Sequence, residues 1–225
     1  MKRFLIIIVT LVIVITAIGV GLHSWSHSNN RRINISRLNV SVLGNKKLDM
    51  KHVKDFNVKV RTAKVVFENA EKSSIVLKNI ASKQYIINQD DDSVEIVEKN
   101  SDKHQIEIGE SPIIIIKTNH DLNNIKVNQL NGTLKFINIT VDKIDINHSN
   151  GTTLSDGLAL IDGGTLTKRN GKTELNGLED IGLKVALKNG NFKLNGVKKD
   201  NHYDDHKEDQ LVIKSNNGQV IVNEK

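Results

Sequence analysis

Between Ile125 and Val222 the chain repeats one spacing of apolar residues around a recurring Asn-Gly pair. The pairs stand at Asn131-Gly132, Asn150-Gly151, Asn170-Gly171, Asn189-Gly190 and Asn217-Gly218, at intervals of 19, 20, 19 and 28 residues. Six and four residues before them lie Ile125/Val127, Ile144/Ile146, Gly164/Leu166, Leu183/Val185 and Leu211/Ile213. Three and five residues after them lie Leu134/Phe136, Thr173/Leu175, Phe192/Leu194 and Val220/Val222, and in the second repeat Leu154 is expected to take this place by a slip of one. Apolar residues return eight after the pair, at Ile139, Leu158, Leu178 and Val197, and three repeats add a second turn signal at Asp156-Gly157, Asn176-Gly177 and Asn195-Gly196. Alternation with period two predicts short strands. An interval of this size predicts an all-β solenoid, parallel β-helix-like, with coils of about 19–20 residues. Each Asn-Gly would be a structural turn, because both residues tolerate positive φ. The dipeptide also marks hairpins, so an antiparallel meander is the alternative. A match that runs in the same direction in every repeat favours parallel stacking. The long last interval holds a hydrophilic insertion, Lys198 to Asp209, expected to be looped out of the stack.

Ahead of the repeats the pattern is less regular. Short alternating runs at Ile33–Ile35, Phe56–Val60, Lys64–Phe67, Ile75–Leu77, Tyr85–Ile87, Val94–Val97 and Ile106–Ile108 predict strands that continue or cap the stack. Residues 49–54 are compatible with a helical turn, and Pro112 introduces Ile113–Ile116, which reads as a strand buried on both faces. At the N-terminus Lys2 and Arg3 precede an uncharged apolar run from Phe4 to Leu22, long enough for a membrane-spanning helix. A cleavable signal peptide is the alternative, but the run is long and Ala17, Gly19 and Gly21 form no cleavage pattern. The expected organisation is a cytoplasmic stub (1–3), a transmembrane signal anchor (4–22) and a polar tether (23–32). A strand-rich part (33–117) and the regular coils (118–225) would follow. The C-terminal bulk would be extracytoplasmic, with Trp25 at the outer interface.

Composition narrows the chemistry. The chain has no cysteine, so disulfides and thiolate catalysis are excluded. Its net charge of +6 would suit a wall polymer or a membrane surface, but acidic residues are interspersed throughout and no nucleic-acid partner is expected. His23 and His27 are spaced like a metal pair without a third ligand, and Asp90–Asp92 lacks the ligand spacing of a calcium loop. Both read as solvated residues. Asp142, Asp145, Asp156, Asp162, Glu174, Glu179 and Asp180 could serve a polysaccharide-acting enzyme, yet they occupy different coil positions. No catalytic, metal or cofactor-binding residues are assigned. The insertion carries His202, Tyr203, Asp204, Asp205 and His206, a possible partner loop with an exposed tyrosine; the histidines would bind metal only if helical.

The anchor, the PIIII strand, the IKV-x-x-x-NG element that follows it, the NG-terminated rungs and the final LVIKSNNGQVIV together resemble the bacterial putative-adhesin family of unknown function, including LiaG and YvlB-like envelope-stress proteins. The resemblance covers residues 35–225 and is strongest from Pro112 onward. It departs from the family in placing asparagine before the repeat glycines, where serine is commoner, and in the insertion. It implies an extracytoplasmic solenoid in the cell envelope with no established site residues. Two functions follow as expectations: a non-enzymatic binding or sensing module in adhesion or envelope stress, contacting a wall polymer or envelope protein, or a polysaccharide-acting enzyme.

Overall fold

The computed structural model describes residues 2–28, 33–36, 39–99, 106–108, 111–179 and 181–225. One helix, α1 (Lys2–Ser28), precedes the strands β1 (Ile33–Ser36), β2 (Asn39–Val42), β3 (Gly44–Asp49), β4 (Asp55–Asn69), β5 (Ser74–Ile80), β6 (Tyr85–Gln89), β7 (Ser93–Glu98) and β8 (Ile106–Ile108). The rest of the chain is β9 (Ile113–Thr118), β10 (Leu122–Leu160), β11 (Gly164–Leu178), β12 (Gly182–Leu194), β13 (Val197–Lys199), β14 (His202–Asp204) and β15 (Gln210–Glu224).

Helix α1 is apolar all round, and its side chains from Phe4 to Val20 are exposed. Of its two threonines, Thr10 and Thr16, the second donates its hydroxyl to the Val12 carbonyl at 2.8 Å, one turn back in the same helix. An apolar helix whose membrane-length stretch is unburied among the described residues has the composition and length to cross a bilayer. It continues through His23 to Ser28, so the polar residues expected to form a tether from position 23 begin as helix. Arg31 and Arg32 lie outside the described residues, as does the side chain of His27.

The strands form a small antiparallel sheet, β2-β1-β8, and one large open mixed sheet in the order β13-β12-β15-β11-β10-β4-β9-β5-β3, with β7 and β6 branching from β4 and β14 lying on β12. All pairings among β4, β10, β11, β15 and β12 are parallel, which excludes the meander. Register follows the Asn-Gly pairs. Asn150 faces Asn170, Asn170 faces Asn217, and Asn217 faces Asn189, while Asn131-Gly132 faces Thr62-Ala63 of β4. Because register is in phase, like residues stack. Ile125, Ile144, Leu211 and Leu183 share one buried column, and Val127, Ile146, Leu166, Ile213 and Val185 share the next, each at most 1 % exposed. Each such side chain contributes roughly 1.5–3 kcal/mol on burial. Phe67 and Phe136 stack with centroids 5.6 Å apart where β4 meets β10.

Spatial order departs from chain order. The last segment, β15, lies between β11 and β12, so the fifth Asn-Gly pair is inserted between the third and the fourth. The residues expected to loop out instead make this possible. β13 and β14 turn back antiparallel along β12, pairing Phe192–Leu194 with Val197–Lys199 and Lys184–Ala186 with His202–Asp204. They cover the free edge of β12, a position where unpaired N–H and C=O groups invite aggregation.

Three smaller expectations are corrected. Residues 50–54 contain no helical turn. The second repeat does not slip: Thr153 and Ser155 face Thr173 and Leu175 and are buried, while Leu154 points outward and is half-buried. Continuous pairing with β11 holds the phase there, although the apolar side chain sits one residue off. In β9, Ile114 and Ile116 are buried but Ile113 and Ile115 are half-buried, so only one face is sealed.

Candidate functional site

The Asn-Gly pairs build one continuous structure. Asn189 Nδ2 donates to Asn217 Oδ1 at 2.9 Å, Asn217 to Asn170 at 2.9 Å, Asn170 to Asn150 at 2.8 Å and Asn150 to Asn131 at 3.1 Å. The ladder ends where Asn131 donates to the Thr62 hydroxyl at 3.4 Å. An amide offers both a donor and an acceptor, so asparagines at strand spacing can bond end to end. The glycines beside them have φ between +114° and +149°. A Cβ on Gly151 would lie 2.0 Å from the Gly132 carbonyl oxygen, and one on Gly171 2.0 Å from that of Gly151. The dipeptides therefore lie inside extended segments at a close approach of backbones.

Beneath the ladder, two residues before each pair, runs a buried column that the sequence reading missed: Gln129, His148, Lys168, Ser215 and Leu187. Its signal was present, since this position continues the inward alternation by two residues. Gln129 Nε2 donates to the carbonyls of Ala63 at 2.7 Å and Asn131 at 2.9 Å. Lys168 Nζ donates to the carbonyls of Gly151 at 2.8 Å and Lys172 at 3.0 Å and to the Thr153 hydroxyl at 3.2 Å. His148 Nδ1 lies 2.9 Å from the same hydroxyl. Threonine, histidine and lysine in mutual contact are the parts of an activated nucleophile. Here His148 and Thr153 are fully buried and Lys168 is 2 % exposed, so no substrate reaches the hydroxyl. The cluster ties together the carbonyls of Gly151 and Lys172 beside the Asn-Gly pairs.

Burial, reinforced by the Lys168 charge, holds the His148 pKa down at about 4, and burial brings Lys168 down to about 8. His148 is thus neutral in the folded protein at a pH where the unfolded chain begins to protonate it. Stability is fully retained above pH 6.5 and falls as pH drops from 6.5 to 4, by roughly 3 kcal/mol in total. Urea melts across this range are expected to show that slope, and His148→Gln is expected to flatten it. An unchanged slope in the variant would assign acid sensitivity elsewhere. Lys168 acts at the other end: the fold disfavours its charge, so stability rises as pH increases from about 8 towards 10.5.

The insertion is not helical, so His202 and His206 do not share a helical face. Both are exposed, and His206 has φ +59°. Tyr203, expected to be exposed, is half-buried and packs on Phe192 with centroids 5.5 Å apart. Asp204 accepts from Lys184 Nζ at 2.7 Å and Gln210 Nε2 at 2.8 Å, and these contacts, led by Lys184, hold its carboxyl well below the usual range. Asp205 accepts from the Leu183 N–H at 2.9 Å. Two aspartates and the tyrosine thus fasten the insertion to β12.

Among the described residues no three histidines or carboxylates gather as metal ligands. Asp145 pairs with Lys126 at 3.5 Å, Glu174 with Lys172 at 2.7 Å and Glu179 with Lys225 at 3.1 Å. Asp156 and Asp162 are exposed and Asp142 is half-buried, while Asp180 lies outside the described residues. Asp90–Asp92 form an exposed turn between β6 and β7.

No family model and no curated protein matches the chain. Solved structures of bacterial proteins do. A putative adhesin of Bacteroides fragilis aligns over 80 % of this chain and 96 % of its own with a TM-score of 0.42 at 11 % identity. A putative lipid binding protein of Parabacteroides distasonis aligns over 80 % and 94 % with a TM-score of 0.28 at 9 % identity. A putative cell adhesion protein of Clostridium sporogenes aligns over 81 % of this chain and 100 % of its own, with a TM-score of 0.63 at 15 % identity, and it is this protein whose fold the chain shares.

Proposed function

We propose that this is a non-enzymatic, single-pass membrane protein of the bacterial cell envelope. In this reading α1 is a retained signal anchor over residues 4–22, and the strand-rich residues 33–225 lie outside the membrane. Their in-register parallel segments form a β-solenoid that bends at the Asn-Gly pairs, and the domain serves as a binding or sensing module in adhesion or envelope stress. The observation that carries it is the helix, apolar on every side and exposed from Phe4 to Val20, joined to a strand-rich domain. A non-catalytic role is supported by carboxylates tied to lysines and by a Thr-His-Lys cluster that is sealed. The Clostridium sporogenes protein, described as a putative cell adhesion protein, is consistent with a binding module.

The full chain with a C-terminal tag, expressed in bacteria, is expected to sediment with membranes and resist alkaline washing, with the tag cleaved by protease added to intact cells. Recovery in the soluble fraction, or a protected tag, would overturn the anchored orientation. Detergent-solubilised full chain is then expected to be retained by isolated cell walls or envelope proteins at physiological salt. Binding that vanishes on charge screening would remove the wall polymer as partner.

A further inference from the structure

At the end of the large sheet remote from β13 and β14, an open groove of about 720 Å³ lies between the edge strands β3 and β6. Its floor is the end of the core, with Leu77, Tyr85 and Ile87 lining it. Lys46, Lys83 and Lys99 also line it, and no carboxylate is among the described lining residues. Glu98 is close in sequence but is engaged by the Arg61 N–H at 2.7 Å and by Gln84 Nε2 at 3.1 Å. On the rim, Val42 and Ile86 are 54 % and 38 % exposed. Apolar side chains ringed by lysines suit a surface that offers hydrocarbon and negative charge together.

The rim is also strained. Lys83 has φ +61°, a conformation that glycine adopts freely and lysine does not. It is held there by a turn in which the Gln84 N–H donates to the Ala81 carbonyl at 3.1 Å and the Ala81 N–H to Gln84 Oε1 at 3.0 Å. The turn places a lysine at the groove where glycine would relieve the backbone. Backbone strain of this kind accumulates at binding sites.

Chain length brings the groove to a membrane. Gly44 follows the end of α1 at Ser28 by 16 residues, a reach of at most ~55 Å when fully extended. The antiparallel pairing of β1 with β2 doubles part of that span back on itself and shortens it.

We infer that the groove between β3 and β6 docks on the anionic lipid surface of the membrane that holds α1, with Lys46, Lys83 and Lys99 at the headgroups and Val42 and Ile86 against the acyl boundary. The inference rests on the anchored reading above. It makes this end of the sheet the membrane-proximal face and leaves the capped end pointing away.

The test uses the full chain in nanodiscs of phosphatidylcholine alone or with phosphatidylglycerol, read by amide hydrogen exchange. Residues 44–48 and 81–87 are expected to exchange more slowly in the anionic discs, while 164–178 stay unchanged. The difference is expected to shrink by roughly fivefold for each lysine neutralised and to collapse at high salt. Lys83→Gly separates binding from folding: it is expected to keep or raise stability in urea while lowering the lipid-dependent protection. Equal exchange in both lipids, or protection that survives Lys46→Gln, Lys83→Gln and Lys99→Gln together, would overturn the docking proposal alone. A chain that enters neither disc would overturn the anchored reading, and with it the geometry that brings the groove to lipid.

Discussion

Truncation after Asp209 is expected to unfold not one rung but the whole C-terminal third. β15 is the last strand in the chain, yet it is hydrogen-bonded on both sides, to β11 and to β12. Removing it deletes Leu211, Ile213, Val220 and Val222, each at most 1 % exposed, worth roughly 6–12 kcal/mol of burial together at 1.5–3 kcal/mol each. That is comparable to the whole stability of an ordinary domain. The loss also strips β12 of its parallel neighbour and leaves β11 with a bare edge. Hydrogen exchange on the truncated chain is expected to show protection lost over 164–194 and retained over 55–69 and 122–137. If β15 were merely a terminal cap, the damage would stay local, because such arrays lose stability one unit at a time. Persistent protection of 182–194 would show that the insertion and β12 hold together without β15, and would refute this account.

The second large effect is expected at Gly171. A Cβ there would stand 2.0 Å from the Gly151 carbonyl oxygen, and φ is +114°. The obstacle is backbone, and neither strand can move aside, because β10 and β11 are paired on both sides of this point, from Ile144 to Leu158. Gly171→Ala is expected to cost on the order of 3–5 kcal/mol, at the top of the range for single substitutions. Gly196 supplies the control. It also has positive φ, +77°, but a Cβ there meets nothing within 4 Å. Gly196→Ala is expected to cost only the conformational penalty of about 1–2 kcal/mol. Equilibrium denaturation of both variants checks the pair: equal losses would mean that conformational preference alone explains the Asn-Gly pattern, and the close approach would lose its role.

These two results bear on what the pairs do. Glycine lets neighbouring backbones approach, and asparagine uses that proximity to bond along the stack from Asn189 to Asn131. At the outermost Asn-Gly of β10 the close approach persists, a Cβ on Gly132 lying 2.1 Å from the Ala63 carbonyl oxygen, but β4 places Thr62-Ala63 opposite and the Thr62 hydroxyl ends the ladder. The same phase brings His148, Lys168 and Thr153 together beside the Asn-Gly pairs.

Some of this is written locally and some is not. Alternation with period two specifies strands, the interval of 19 or 20 residues specifies register between neighbouring segments, and an unbroken apolar run specifies a helix long enough for a bilayer. These are determined by the sequence alone, because each depends on side chains a few residues apart or on identical residues meeting in phase. Four matters were decided only by tertiary structure. Thr153 and Ser155 fill inward positions while Leu154 faces outward, because in-register pairing with β11 on both sides of this point outweighs the preference of one leucine. His148 and Lys168 occupy a position that the alternation marks as inward, but only the fold supplies the carbonyls and the hydroxyl that let a histidine and a lysine be buried there. The insertion lies along β12 because Lys184 and the Leu183 N–H, far from it in sequence, receive Asp204 and Asp205. The threading of β15 between β11 and β12 is the largest of these. In-phase segments are nearly interchangeable as neighbours, so periodicity specifies how they align but not which of them lie side by side; the length and course of residues 195–209 make that choice.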